Sequence, residues 1–507
     1  MNKKKDFLII GAQEPMDSRL KDNSNVFKGI PPYFVPYGRD FIGTSKKGYS
    51  FPAYALPVLT SCLKRKKVRA SYINDFYSSA PEHIVRAIKD TRLAVGISTT
   101  FMTNLKSIVD IARFIRKVNP GLKIMMGGAG IVNFPAARHY ADINVFYEGE
   151  ETISELASAL MTGGKSAFSR IKGISYFRSG KEIFTGRREC IEDLGRIPLP
   201  DWRPMINELQ DEHYLPIESS RGCVGNCAFC LETKYWPGVR YYPIERVLKE
   251  LKNGIRKFGI KFYYFQDSNI ANKREYLRRL CETIRKNRLD IKWSCEARVD
   301  LINKDMIERM YDAGCRAITF GLESADRSIL KNMNKPISPE KLASFKRIIK
   351  HMRKKGMLAN INIIVGFPGE SKRTISSTID FLREAEPIAY SMSKFFLEKG
   401  TDIWKNKKRY GLKGAMYDWT HDTMKSDELD RIIRDMFMRV SAKNRIYHWT
   451  SASVDLIRHM SKGKSFDDFV RYISSVNSIC VEDIDRHGKP YSSDYERSFK
   501  HIVSYLS

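Results

Sequence analysis

The stretch Leu215-Pro216-Ile217-Glu218-Ser219-Ser220-Arg221-Gly222-Cys223-Val224-Gly225-Asn226-Cys227-Ala228-Phe229-Cys230 decides how the rest of the chain is read. Leu215 to Ser219 is a short apolar run closed by Gly222, which predicts a strand followed by a loop. The loop carries three cysteines spaced C-x3-C-x2-C, near enough to bring three thiolates to one centre. Soft thiolates select zinc or iron–sulfur. A structural zinc site wants a fourth Cys or His. His213 lies across the predicted strand, and no other Cys or His occurs between Cys230 and Cys281. Three thiolates on a [4Fe–4S] cluster leave one iron open, and an open position marks a catalytic site. On the residues alone a catalytic cluster is favoured, with zinc or chance spacing as the alternatives.

Downstream of this loop the chain repeats strand and helix. Candidate strands are Leu215 to Ser219, Phe262 to Asp267, Ile291 to Cys295, Ala317 to Leu322, Asn360 to Val365 and Ala389 to Phe395, with helical segments between them. The pattern predicts a partial (β/α)6 barrel over residues 206–400, and barrel chemistry belongs at the C-terminal ends of the strands. The cysteine loop leaves the first strand at that end.

Upstream, the apolar runs Asp6 to Gly11, Val68 to Ile73, Leu93 to Ser98 and Lys123 to Met126 alternate with amphipathic segments. This predicts an α/β, doubly wound parallel sheet over residues 1–170. Ser98-Thr99-Thr100 and Gly127-Gly128-Ala129-Gly130 follow two of its strands, at the edge where such sheets bind ligands. A tight turn without a ligand is the alternative. Residues 171–205 read as a hairpin and a Pro-marked linker. Residues 401–507 read as a helical domain rich in Trp and Tyr, the expected substrate-recognition element.

Composition sets the outer limits. The chain has 507 residues, 87 Lys and Arg against 58 Asp and Glu, and a formal charge of +29. That favours anionic partners, but the basic residues are spread along the chain beside acidic ones, which is also how a solvated surface looks. No RRM, KH or zinc-finger pattern supports nucleic-acid binding. No apolar run approaches the roughly 18 residues of a membrane span. Met1 to Lys5 is basic, but Gln13, Glu14 and Pro15 interrupt the apolar run after it, so a buried strand is expected rather than a secretion signal. Nine cysteines, an odd number, and no export signal argue against a disulfide framework and predict a cytoplasmic protein.

The cysteine triplet, with Phe229 before its last member and Glu218 to Gly222 before its first, resembles the signature of the radical S-adenosylmethionine (SAM) enzymes. Gly321-Leu322-Glu323-Ser324, Gly366-Phe367-Pro368-Gly369-Glu370 and the segment Lys394 to Trp404 are similar to that family's later barrel motifs. The resemblance implies an oxygen-sensitive [4Fe–4S] cluster on Cys223, Cys227 and Cys230, with SAM chelating the open iron and cleaved on reduction to a 5′-deoxyadenosyl radical. It implies SAM contacts from Phe229, from Asp267, Ser268 and Asn269 after the second strand, and from Glu323 and Ser324 toward the ribose or ammonium. Gly366 would face the adenine, and Arg298 and Lys335 would meet the carboxylate. Ser268 stands where relatives carry a second Asp.

Phe51 to Leu63, Gly96 to Thr100, Gly127-Gly128, Phe146 to Glu150 and Ile191 to Pro200 resemble the cobalamin-binding domain and linker of one large branch of that family. This implies cobalamin near Ser98, Thr99, Gly127, Gly128, Gly149 and Glu150. The Asp-x-His-x-x-Gly signature is absent, and Gln13-Glu14-Pro15 stands in its place, so the cobalt would lack a histidine from that loop. The insertion from Asn23 to Ser50 has no assignment and is a candidate cover for cobalamin or substrate.

Together these readings predict a cobalamin-dependent radical SAM methyltransferase. It would methylate an unactivated carbon, or phosphorus, of a small-molecule natural-product intermediate or peptide by way of methylcobalamin. An external donor such as flavodoxin or ferredoxin would supply electrons. The alternatives are a non-methylating radical enzyme for ring formation, rearrangement or lipid modification, and an RNA-modifying one. Tyr235, Cys295 and Tyr390 are candidates to quench a substrate radical, with burial as their other reading.

Overall fold

The computed structural model describes residues 4–13, 52–102, 104–163, 165–205, 214–442, 445–449, 452–485 and 492–506. The Asn23 to Ser50 insertion lies outside them. The described residues up to 205 form one compact unit and those from 214 form another.

The first unit is built on a seven-stranded sheet. Its parallel part runs in the spatial order Ala70–Ile73, Lys5–Gln13, Thr91–Phe101, Lys123–Gly127, Ile143–Val145. In chain order that is 2-1-3-4-5, the doubly wound arrangement whose reversal point lies between the first and third strands. Lys5–Gln13 is buried from Asp6 onward, as a strand covered on both faces must be. Leu8, Ile10, Val95, Ile97, Ile124 and Met126 pack one face against Ile108, Ile111 and Ile115 of the helix Leu105–Val118. Asn104 caps that helix by accepting from the Ser107 amide. The hairpin Ile174–Arg178 and Lys181–Phe184 is not a free-standing connector: its first strand pairs antiparallel with Ile143–Val145 and extends this sheet.

In the second unit six parallel strands lie side by side in chain order: Tyr214–Ile217, Phe262–Phe265, Lys292–Arg298, Cys315–Glu323, Leu358–Val365 and Ala389–Lys394. The first ends two residues earlier than its apolar run suggests, because Ser219 turns to bond Asp267. Side chains alternate between two environments. Trp293, Cys295, Ile318, Phe320, Ile361 and Ile363 are buried under the helices that follow each strand. Their neighbours Glu296, Arg298, Gly321, Asn362 and Ile364 stay partly open on the other face. That second face is the lumen of a partial barrel.

The tail departs from the all-helical expectation. Lys413–Ala415, Asp418–His421 and Met424–Lys425 form a small antiparallel sheet. The helix Ala452–Ser461 touches the first five barrel strands. Five strands at about 4.8 Å spacing span nearly twice a helix diameter of about 10 Å, so the sheet must curl around this helix. Ala452 and Leu456 pack on Ala317, Leu358 and Ala389, which start or lie near the start of their strands. Ser453 hydrogen-bonds Thr319 at 2.6 Å. The helix therefore closes the N-terminal foot of the lumen, opposite the cysteine loop. A tail helix over Ser493–Leu506 is also present.

Candidate active site

The cysteine loop is held from four directions before any cofactor is considered. Asp267, at the end of the second strand, accepts from the Ser219 amide (3.1 Å), the Ser219 hydroxyl (2.8 Å) and the Ser220 hydroxyl (2.6 Å). Burial outweighs these bonds and pushes its carboxyl up to about 6. Asn272 donates to the Gly222 carbonyl at 2.9 Å and accepts from the Val224 amide at 3.1 Å, and Asn269 donates to it at 2.8 Å. The Ala228 amide donates to Met333 O at 2.8 Å, and Asn334 donates to Asn226 O at 2.6 Å. Gly222 has a φ of +91° and its missing Cβ would fall 2.1 Å from Gly238 O, so only glycine fits there.

Each sulfur meets one N–H donor. The Gly225 amide lies 3.3 Å from Cys223 Sγ, the Glu232 amide 3.4 Å from Cys230 Sγ, and Arg298 Nη1 3.3 Å from Cys227 Sγ. Arg298 is steered there by two 3.1 Å contacts to Asp300. Gly225 leaves it room, since a Cβ would sit 2.4 Å from Arg298 Nη1. Burial pushes the Cys223 thiol up and the Cys230 thiol to about 11. Among the described residues no three His, Cys, Asp or Glu side chains close around one point as a single ion requires.

The next strand ends bring charge to the same mouth. Glu323 accepts from Lys335 Nζ at 3.0 Å, with both side chains nearly buried. Glu323 has a φ of +70° at a bulge in its strand, a conformation that a non-glycine residue takes at a cost of about 1 kcal/mol. A Cβ on Gly321 would fall 2.5 Å from the Glu323 carboxylate, so that glycine makes space for the ion pair. Glu370 accepts from the Gly366 amide at 2.6 Å, and burial pushes it up to about 8. The Gly366 carbonyl accepts from His421 at 3.1 Å. His421 stacks on Trp419 with ring centres 5.0 Å apart.

Residues 217–382 match the radical SAM superfamily, and residues 42–157 match the B12 binding domain. A Methanocaldococcus jannaschii protein provisionally named a methylthiotransferase is 30% identical over 327 residues, which is 60% of this chain and 68% of that one. The chain belongs to the radical SAM superfamily. An uncharacterized methyltransferase of Pyrococcus horikoshii is 27% identical to this radical SAM enzyme over 417 residues, 77% of this chain and 88% of the relative. The fold is shared with TsrM of Kitasatospora setae, a radical SAM methyltransferase solved with cobalamin and a [4Fe–4S] cluster (TM-score 0.68, 14% identity, 95% of this chain and 99% of that one). The family gives the enzyme a [4Fe–4S] cluster and SAM, and the B12 binding domain adds cobalamin.

The residues present fit a cluster. Three half-buried sulfurs sit on one loop and each carries an N–H donor, as thiolate ligands of a cluster do. Cobalamin would lie along the C-terminal edge of the first unit's sheet. Phe101 and Tyr147 are partly exposed near that edge, with Arg187 over the Tyr147 ring at 5.0 Å.

Several expected contact residues have other work in this structure. Asp267 and Asn269 brace the cysteine loop, and Ser268 is exposed and donates to Glu232. Ser324 is buried against Thr378 (3.3 Å). Gly366 sits where a Cβ would meet Trp419 and Leu429 at 2.8 Å. Phe229 packs edge-on against Phe367 at 6.2 Å. In the first unit Thr99 donates to Gly127 O at 2.9 Å and ties two edge loops together. A Cβ on Gly128 would strike Thr100 Oγ1 at 2.6 Å, so this glycine serves close loop packing. Ser98, Gly127 and Gly149 are partly open at that edge, and Glu150 is buried in the first turn of Gly149–Met161. Of the candidate quenchers, Cys295 is buried on the outer face and Tyr390 bonds Ser441 (3.0 Å) away from the lumen. The Tyr235 hydroxyl is buried with no partner among the described residues. Sequence reasoning missed Asn272, whose only signal is its place three residues after Asn269.

Glu370 makes one prediction. Its folded value, about 8, lies above its ordinary 4.5. The native state therefore holds this proton more tightly, and the stability from that is present below about pH 4.5 and lost as pH rises through 8. Glu370→Gln keeps an acceptor for the Gly366 amide without the charge. We expect its melting temperature to overtake the wild type's above pH 7 and to vary less between pH 5 and 9, a difference on the order of a few kcal/mol. Parallel melting curves that never cross would refute this.

Proposed function

We propose that this radical SAM enzyme transfers a methyl group to an unactivated carbon, or phosphorus, of a small-molecule or peptide substrate. The observation that carries the reading is one chain joining a three-cysteine loop at the open mouth of a partial barrel to a B12 binding domain. When bound, the cluster with SAM supplies a radical able to abstract an unactivated hydrogen, and cobalamin supplies the methyl group.

The protein's own part is placement and exclusion. Arg298 and two loop amides hold the sulfurs by hydrogen bonds. Lys335 and Glu323 present fixed opposite charges at the mouth, suited to the carboxylate and ammonium of SAM. The helix Ala452–Ser461 closes the foot of the lumen. A reactive primary radical demands such enclosure, because an open site would let it attack the wrong partner. Electrons would come from an external flavodoxin- or ferredoxin-type donor. Among the described residues no helix is long and apolar enough to cross a membrane.

The test is product analysis with cluster- and cobalamin-loaded enzyme. Methyl transfer yields S-adenosylhomocysteine together with 5′-deoxyadenosine. 5′-Deoxyadenosine without S-adenosylhomocysteine, in the presence of consumed substrate, would favour the rival non-methylating reaction.

A further inference from the structure

The lumen contains a row of polar groups that the cofactor site does not use. Glu296, Thr319 and Asn360 are register partners on the third, fourth and fifth barrel strands. Parallel partners share a face, and Thr319 shows which one, since its hydroxyl meets Ser453 of the helix inside the curl. All three side chains therefore point into the lumen. Ser294, one step deeper, is the partner of Tyr264 on the second strand.

Two features are costly unless a ligand completes them. Asn360 is 0% exposed, and neither its amide oxygen nor its amide nitrogen has a partner among the described residues. The Ser294 hydroxyl is likewise buried and unpartnered. An orphaned buried polar group is destabilising. The second feature is the Glu296 carboxylate. Among the described residues its one hydrogen-bond partner is the Tyr264 hydroxyl at 3.0 Å. No Lys, Arg or His among them forms an ion pair with it, and Glu323 and Glu232 act on it with like charge. Burial pushes its carboxyl up. Glu323 at the mouth, by contrast, already has its cation in Lys335. The enzyme thus keeps a lumen carboxylate without a counterion among the described residues, two strands from a buried amide whose hydrogen-bonding atoms are unpartnered.

We propose that Glu296, supported by Tyr264 and Asn360, binds a protonated amine or amidinium on the substrate, and so selects cationic substrates. This rests on the radical SAM reading of the lumen as the reaction chamber and adds the substrate's chemical class. A cation there favours the ionised carboxylate and gains a charge-assisted hydrogen bond. A neutral isostere gains neither, and an anion is repelled.

The probes are cyclohexylmethylamine and its neutral isostere cyclohexylmethanol, titrated against cluster- and cobalamin-loaded enzyme with SAM present and followed by ligand-observed NMR. The amine should bind at least about tenfold tighter than the alcohol, and Glu296→Gln should abolish the difference. Tyr264→Phe, which leaves the carboxylate in place, should keep it and guards against misfolding of the first variant. Equal binding of the two probes, binding of neither, or a preference surviving in Glu296→Gln would overturn the proposal. So would a weakened SAM affinity in Glu296→Gln by equilibrium dialysis, because the carboxylate would then serve SAM. SAM cleavage in the same wild-type samples reports separately on the radical SAM reading: absent cleavage with intact amine preference would count against that reading and not against Glu296.

Discussion

A triple variant, Cys223→Ala, Cys227→Ala and Cys230→Ala, should fold, lose all iron–sulfur absorbance and SAM cleavage, and keep its cobalamin. The three cysteines are half-buried loop residues, so removing their sulfurs costs little packing. The loop itself is held by Asn272, Asp267, Asn334 and the Met333 carbonyl rather than by the thiols. We expect a stability loss within about 1 kcal/mol of the unreconstituted wild type. Cobalamin belongs to the B12 binding domain at residues 42–157, and the cysteines lie outside that span. The check is iron content, visible absorbance and cobalamin content after anaerobic reconstitution and desalting, beside the wild type. Cluster absorbance persisting in the triple variant would remove these cysteines as ligands. Wild type that loads its cluster but retains no cobalamin would sink the proposed methyl transfer.

The parts of this enzyme that were legible in its sequence are those with local signals. The helices Pro81–Lys89 and Leu105–Val118 end where their apolar periodicity ends. The parallel strands follow from apolar runs, and the cysteine loop from spacing. What stayed hidden depends on contacts distant in sequence. Asp267 is a short acidic residue after a strand, the expected place for a cofactor contact, yet it turns back to bond Ser219 and Ser220, 48 and 47 residues earlier. Helix Ala452–Ser461 has an ordinary amphipathic pattern, and nothing local says that it fills the foot of a barrel that began more than 200 residues before it. Lumen residues were hidden for another reason. Alternation announces two faces, but only the register of Glu296, Thr319 and Asn360 shows that their polar side chains share the enclosed one. The small strands at Lys413–Ala415, Asp418–His421 and Met424–Lys425 are too short and too polar to carry a period.

Lys335→Met should destabilise the apo enzyme by about 3–5 kcal/mol, the cost of leaving a buried charge without its partner. Both side chains are enclosed, so solvent screening does little to soften the loss. Glu323 cannot swing out to water easily: its backbone is held at φ +70° by the bulge, and its carboxylate occupies the space that Gly321 leaves open. Pairing Lys335→Met with Glu323→Gln removes the stranded charge, so the double variant should recover most of the loss. Urea denaturation of the four proteins, wild type, two singles and the double, closes the cycle. A strongly positive coupling with a near-neutral double variant is the expected result. If the losses simply add, the two side chains act independently, and the 3.0 Å contact is not the reason both are buried at the mouth. The same four proteins separate stability from function. The double variant should fold and still bind SAM weakly, because the two charges suited to the carboxylate and ammonium of SAM are gone. A double variant with normal SAM affinity would leave the pair as a structural clamp on the bulge alone.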